Sequence, residues 1–305
     1  MENYKIILDT DPGIDDAIAL AVLLRECRQR LKLIITTYGN VAVEKTTRNV
    51  MSLLALIGAD IPVVRGAEGP GAGNAVYEDA AHIHGGDGLG GLQSSEIFRS
   101  LRVAEAMEGD ALRRVYDAIV EAGSVDYITL GPLTNLSALI KRFPDVVNRL
   151  HKVVVMGGGI GLGNVTEFAE FNFYCDAESA RHVFSAVRNM VLAPIDVTTK
   201  VALNMAQIAS IGALQTETAK AFETMLTLNY NQCVAYGEPG AAMHDSTAVL
   251  AYIFPELFEF KACSIRMECS GERYGESAVC AGDNVRLAVG ANIERLLEII
   301  MKNIG

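Results

Sequence analysis

The sequence has no apolar run approaching the roughly 20 residues that a bilayer-spanning helix requires; Ala17 to Leu24 is among its longest. It also lacks a basic N-terminal region followed by a small-residue cleavage site. The chain enters directly into the strand-like Tyr4-Lys5-Ile6-Ile7-Leu8, so a cytoplasmic protein is expected. Its six cysteines (Cys27, Cys175, Cys233, Cys263, Cys269 and Cys280) include no C-x-x-C pair. That argues against a zinc site or a disulfide framework and leaves reduced, mostly buried thiols as the expectation. Positive charge is scarce: 26 Lys and Arg face 37 Asp and Glu, a net charge of −11, which is wrong for a broad nucleic-acid surface. Neither G-x-x-x-x-G-K-[ST] nor H-E-x-x-H occurs, and the glycines at 157–163 do not fit G-x-G-x-x-G.

What is present is an alternation of strand-like and helix-like segments, the pattern of a sheet with helices on its faces. Strands are predicted at Lys5–Leu8, Leu31–Thr37, Tyr127–Leu130, Lys152–Met156, Met190–Ile195 and Phe258–Glu268. Helices are predicted at Asp15–Arg28, Val43–Ile57, Ala111–Ala122, Leu133–Phe143, Ala177–Ala186, Thr216–Tyr236, His244–Ile253 and Ala291–Asn303. Gly66–Gly91 is glycine-rich without periodicity and reads as a long loop, a feature often functional in compact domains. With no repeat and no charged linker, residues 1–305 are expected to form a single α/β domain built on an open, mostly parallel (mixed) sheet.

Polar residues cluster where strands end. Asp9 and Asp11 follow the first, Asn40 the second, Gly131-Pro132-Leu133-Thr134-Asn135 the third, Gly157-Gly158-Gly159 the fourth and Asp196 the fifth. In open α/β sheets ligands bind at these carboxyl ends. Asp9 and Asp11, two apart in extended backbone, are able to point to one side, and Asp15-Asp16 opens the following helix. A helix N-terminus favours an aspartate, but one cap explains one aspartate. The rest repel one another unless a cation sits among them, and oxygen ligands suit Ca²⁺ or Mg²⁺. A phosphatase of the haloacid dehalogenase type also places two aspartates two apart after a first strand. It normally has Thr or Val where this chain has Gly13, and it does not require the Asp15-Asp16 pair.

The segment Asp9-Thr10-Asp11-Pro12-Gly13-Ile14-Asp15-Asp16 matches the D-T-D-P-G-x-D-D signature of the inosine–uridine-preferring nucleoside hydrolases without a departure. The resemblance continues at Gly39-Asn40-Val41, His84-Gly85-Gly86-Asp87-Gly88-Leu89 and Gly131-Pro132-Leu133-Thr134-Asn135. It then takes in Met156-Gly157-Gly158-Gly159, Asn164-Val165-Thr166, Glu170-Phe171-Asn172 and His244-Asp245. In order and completeness these pieces span nearly the whole chain. The resemblance implies a Rossmann-like nucleoside hydrolase fold and Ca²⁺-dependent hydrolysis of the N-glycosidic bond of ribonucleosides, giving ribose and a free base in nucleoside salvage. It implies Asp11, Asp16, Asp245 and the carbonyl of Leu130 as Ca²⁺ ligands, with Asp11 also the general base. Asp15 is implied at the ribose 2′-hydroxyl, Asn40, Asn164, Glu170 and Asn172 around the sugar, and Met156 packed against it.

His244, beside Asp245, is the candidate acid for the leaving base; a lone histidine is more often structural, and the family match sets this one apart. His84 is expected to touch substrate and Phe171 to pack near the base, with Tyr230 and Tyr236 in the region that closes over the base in relatives. His82 and His84 are not expected to form a metal pair, and His151 and His182 read as surface or structural. Thr10 and His244 fit the inosine- and uridine-like group, and the absence of tryptophan argues against the purine-specific group, which stacks the base between tryptophans. Glu167 and Phe168 depart from the small or proline-containing residues common at that place. By resemblance the chain is expected to form a homodimer or homotetramer and to engage a small-molecule ribonucleoside, with no nucleic-acid or membrane partner. The alternatives are a Mg²⁺-dependent phosphatase and a non-catalytic nucleoside- or calcium-binding protein.

Overall fold

The computed structural model describes residues 4–71 and 77–304. Ten strands follow in chain order: β1 (Lys5–Thr10), β2 (Leu31–Thr36), β3 (Val63–Arg65), β4 (Val125–Thr129), β5 (Leu150–Met156), β6 (Met190–Ala193), β7 (Ala202–Leu203), β8 (Ala241–Ala242), β9 (Phe258–Met267) and β10 (Ser277–Ala291). Eight form one sheet in the order β3-β2-β1-β4-β5-β6-β10-β9, and β7 and β8 form a small antiparallel pair. Every neighbouring pair in the large sheet is parallel except β9 with β10, so the sheet is open, mixed and mostly parallel.

Side chains alternate across the inner strands with the two-residue period of extended backbone. Ile6 and Leu8 of β1 enter one core and Ile7 the other. Both faces are therefore buried, which is why these strands read as continuous apolar runs. One face is covered by α1 (Ile14–Cys27) and α2 (Val43–Ile57), and the short α3 (Ala81–His84) and α4 (Glu96–Ser100) follow in the chain. The other face carries α5 (Ala111–Ala122), α6 (Thr134–Arg142), the one-turn α7 (Phe171–Cys175) and α8 (Ala177–Ala186). Then come α9 (Ile195–Thr198), α10 (Met205–Gly212), α11 (Glu217–Ala235), α12 (His244–Ile253) and α13 (Ile293–Ile304). The last three return to the first face, where Met225, Val249 and Ile300 join the core of α1.

The chain leaves β1 towards β2 and β3, then crosses to β4 on the other side. That reversal opens a crevice at the carboxyl ends of β1 and β4, where open α/β sheets bind ligands. Four predicted helices coincide with the observed ones: Val43–Ile57, Ala111–Ala122, Ala177–Ala186 and His244–Ile253. The irregular last third instead holds elements not foreseen, among them α10, the short β8 and the fifteen-residue β10. The predicted Gly66–Gly91 loop contains α3, and its residues 72–76 lie outside the described residues. No helix among the described residues is long and apolar enough to cross a membrane. All six cysteines are free; four are buried, Cys269 is half-buried and Cys280 exposed.

Candidate active site

The end of β1 and the residue after Thr10 place two buried aspartates, Asp9 and Asp11, among different partners. Asp9 is fully buried, its carboxylate accepting from Tyr127 Oη at 2.8 Å and Asn135 Nδ2 at 2.9 Å. Burial pushes its pKa up to about 7 against the lowering effect of those two bonds. Asp9 braces the strand end and does not line the cleft described below. Asp11 is wedged between two glycines. A Cβ at Gly39 would stand 1.9 Å from its Oδ2, and one at Gly131 2.4 Å from its Oδ1. The backbone N–H of Asn40 donates to Asp11 Oδ2 at 2.9 Å.

Asp16 does two jobs. Its Oδ2 accepts from Gly13 N at 2.9 Å, the reach-back of a helix cap, so the simple capping reading is true of this residue. The same oxygen accepts from Asn40 Nδ2 at 3.0 Å, and Oδ1 accepts from Thr10 Oγ1 at 2.5 Å. Asn40, expected around the sugar, thus spends its amide nitrogen on Asp16 and on the Asp11 carbonyl at 3.1 Å. It lines the cleft while positioning two carboxylates.

From the far end of the sequence, α12 brings Asp245 to Asp15 and Asp16. Oxygens of these three buried carboxylates lie within 4.8 Å of one another. Burial first, then the neighbouring carboxylates, raises Asp15 to about 7 and Asp245 well above the usual range. Asp11 is raised by burial, then by Asp16. The tightest group is therefore Asp15, Asp16 and Asp245, with Asp11 next to it, whereas the sequence resemblance implies Asp11, Asp16 and Asp245.

Of these carboxylates Asp15 and Asp245 line a cleft of about 450 Å³, together with Asn40, His84, Leu130, Met156, Asn164, Glu170, Phe171, Asn172 and His244, and Asp11 and Asp16 stand behind them outside the lining. Every predicted substrate contact therefore lines one cavity. No Lys or Arg is among the lining residues, so the negative charge has no protein counter-ion there. Crowded, dry carboxylates with a carbonyl nearby and no basic partner fit a hard divalent cation. A larger open depression of about 880 Å³ beside Arg65 includes none of the predicted residues. Its exposed Arg65 pairs with the exposed Glu44 and Glu68.

The second wall is held by Glu170 and Asn172. Glu170 caps α7, accepting from Asn172 N at 2.9 Å and Phe173 N at 3.2 Å, and also from Gly158 N at 2.7 Å. Burial raises its pKa, opposed by those three bonds. Asn172 Nδ2 donates to Leu130 O at 2.6 Å and to Met156 O at 3.3 Å, tying the ends of β4 and β5 together. Asn164, exposed at the rim, accepts from Phe171 N at 2.9 Å.

Two histidines complete the wall. His84 Nδ1 accepts from Ile14 N at 3.1 Å, which fixes the neutral ring with its proton on Nε2. Burial, with His244 and His82 nearby, lowers its pKa to about 3. His244 Nδ1 lies 2.7 Å from Thr198 Oγ1, and burial lowers its pKa to about 4. Tyr236 lines the cleft, 66% exposed, with His82 edge-on at 6.1 Å. Tyr230 instead packs against the core, so of the two tyrosines only Tyr236 reaches the cleft. Asp196 accepts from Ile160 N at 2.7 Å and is absent from the lining. Asn229, Cys233 and Glu238 also line the cleft. None was singled out from the sequence, although all three fall within Thr224–Met243, the stretch around Tyr230 and Tyr236 that the resemblance implies for base preference.

Residues 6–298 match the family model described as inosine-uridine preferring nucleoside hydrolase. A non-specific ribonucleoside hydrolase RihC of Salmonella paratyphi A is 35% identical over 298 residues, covering 97% of this chain and 94% of its own. The RihC of Klebsiella pneumoniae is 36% identical over 270 residues, covering 88% of this chain and 85% of its own. Among solved structures, a purine-preferring ribonucleoside hydrolase from Gardnerella vaginalis superposes with a TM-score of 0.90 at 26% identity, covering 98% of both chains. A plant nucleoside hydrolase superposes with a TM-score of 0.88 at 26% identity over 99% of both.

Proposed function

Because the chain belongs to the inosine–uridine-preferring nucleoside hydrolase family, we infer that its cleft hydrolyses the N-glycosidic bond of ribonucleosides with the help of Ca²⁺. The carboxylate cluster facing a cleft without a basic residue carries this reading. The chain is an N-ribosyl hydrolase, and the sugar-binding wall, the acidic cluster and the histidine each have a place in that chemistry.

Asp11, Asp16, Asp245 and the carbonyl of Leu130 would hold the cation, with Asp15 turned to the ribose 2′-hydroxyl. A cation held there would supply positive charge that lowers the pKa of a water and favours ribose hydroxyl oxygens. Asp11, clamped by Gly39, Gly131 and Asn40, takes the proton of that water. Burial and the neighbouring Asp16 raise its pKa above the ordinary carboxylate range, which makes it a stronger base than a free carboxylate. Bond cleavage builds positive charge on the sugar, which the surrounding carboxylates stabilise. Asn40, Asn164, Glu170 and Asn172 hold the ribose, and Met156 packs against it. His84 offers its Nε2–H to the substrate, and Phe171 packs near the base. His244, its pKa lowered to about 4 by burial, is neutral at pH 7 and donates a hydrogen bond from its ring to the departing base as negative charge develops there, and the base then takes its proton from solvent.

We place this activity in nucleoside salvage in the cytoplasm, in one domain spanning 1–305 that assembles as a homodimer or homotetramer; the six free cysteines accord with a reducing compartment. A panel of common ribonucleosides assayed for reducing sugar in the presence of Ca²⁺ tests the reading. Release of ribose from inosine or uridine is expected. Phosphate release from a phosphoester without nucleoside cleavage would favour a Mg²⁺-dependent phosphatase instead.

A further inference from the structure

The stretch of cleft wall built by α11 and the turn after it belongs to none of the roles assigned above. Asn229 and Cys233 stand one helical turn apart, both buried, and Glu238 follows after Gly237, whose φ of +86° makes the turn. The backbone N–H of Glu238 donates to Cys233 O at 2.9 Å, folding the turn back onto the helix. Both residues meet Cys233, whose thiol donates to Asn229 Oδ1 at 3.6 Å while its carbonyl holds Glu238. Asn229 and Glu238 are therefore neighbours on the cleft wall.

Their remaining hydrogen-bonding capacity is complementary. Glu238 Oε2 is buried and has no hydrogen-bond partner among the described residues. No Lys or Arg lines the cleft to neutralise it. Leaving such an oxygen unpaired is costly unless a ligand satisfies it. Asn229 uses its oxygen on Cys233, and its amide nitrogen makes no hydrogen bond among the described residues. The wall thus offers one donor beside one acceptor.

We propose that Asn229 and Glu238 determine base specificity, Asn229 Nδ2 donating to a ring carbonyl and the Glu238 carboxylate accepting the ring N–H beside it. That pair fits the lactam edge shared by hypoxanthine, guanine and uracil. Adenine and cytosine present the reverse, an amine beside a bare ring nitrogen whose lone pair would face the carboxylate. A site built to hydrogen-bond one edge rejects the other through its own unpaired groups. The preference follows the edge and not the size of the ring system. It rests on the nucleoside hydrolase reading and adds to it the residues that choose among nucleosides.

The test is kcat/KM for inosine and uridine against adenosine and cytidine, measured for the wild type, Glu238→Gln and Asn229→Asp. The ratio of two substrates on one preparation is independent of how much of it is folded, so a poorly folding variant still reports. Should Glu238→Gln give no soluble protein, Asn229→Asp, which replaces the donor by an acceptor, reads the same edge. The wild type is expected to favour the oxo bases. Each variant should shrink that preference about 10- to 100-fold, the scale of one hydrogen bond to a charged group, mainly through KM. Turnover with the ratio unchanged in both variants, or a wild-type preference for adenosine and cytidine, overturns this inference alone. No ribose release from any nucleoside overturns the functional reading beneath it.

Discussion

Asn40 holds Asp11 from the neighbouring strand end, its backbone N–H donating to the carboxylate at 2.9 Å, and the glycine before it leaves no room for a side chain. Gly39→Ala would drive a methyl group into Asp11 Oδ2, 1.9 Å away. Overpacking of this kind costs about 1–3 kcal/mol. The carboxylate gives way before the sheet does. Steady-state kinetics beside thermal unfolding should therefore show kcat reduced by at least about 100-fold, equivalent to about 2.7 kcal/mol, with a shift in Tm of a few degrees only.

Tyr127→Phe separates bracing from chemistry. It removes the 2.8 Å bond to Asp9 and leaves a buried carboxylate oxygen without that donor. Unfolding by denaturant should report a loss of about 1–3 kcal/mol. Because neither Asp9 nor Tyr127 lines the cleft, KM for a cleaved nucleoside should stay within about twofold, on the general expectation that distant sites act independently.

The metal-free protein should have an inverted pH dependence of stability. Asp9 and Asp15 each have a folded-state pKa near 7 against an ordinary value of 3.8, and Asp11 and Asp245 are raised as well. Between 3.8 and about 7 the unfolded chain has released protons that the folded chain keeps. Stability therefore falls as pH rises through that window. Denaturant unfolding in a chelator should show higher stability at pH 5 than at pH 8, and Ca²⁺ should restore stability at pH 8 with release of protons. A metal-free protein that gains stability from pH 5 to 8 would contradict the charge arrangement.

The two tyrosines give a paired contrast. Tyr236 is 66% exposed on the cleft, so Tyr236→Ala should raise KM with little change in stability. Tyr230 packs against the core, so Tyr230→Ala should lower stability, by about 1–3 kcal/mol for a partly buried aromatic, with KM little changed. Michaelis kinetics beside thermal melts on the two variants decide it.

That contrast also shows where the sequence becomes illegible. Tyr230 and Tyr236 lie in one helical neighbourhood, and spacing does not say which way each points until α11 is docked. The strands buried on both faces and the amphipathic helices were readable because burial imposes its period on them. β10 was not. Its pairing with β9 breaks between Cys280 and Val285, where Ala281-Gly282-Asp283-Asn284 interrupts the alternation and resembles a loop. Within the site, D-T-D-P-G-x-D-D gave the carboxylates, yet which of Asp11 and Asp15 joins Asp16 and Asp245 depends on a turn geometry that the letters do not encode. Asn229 and Glu238 belong to no motif, and only the cleft brings them together.

The most direct test of calcium-dependent hydrolysis is a titration. Metal-stripped protein is given inosine and uridine, and reducing sugar is measured as Ca²⁺ is added, alongside Asp11→Ala. The account predicts no ribose release before calcium, recovery in proportion to ion bound by the wild type, and no recovery in the variant. Turnover that survives stripping, or an Asp11→Ala protein as active as the wild type, would contradict it.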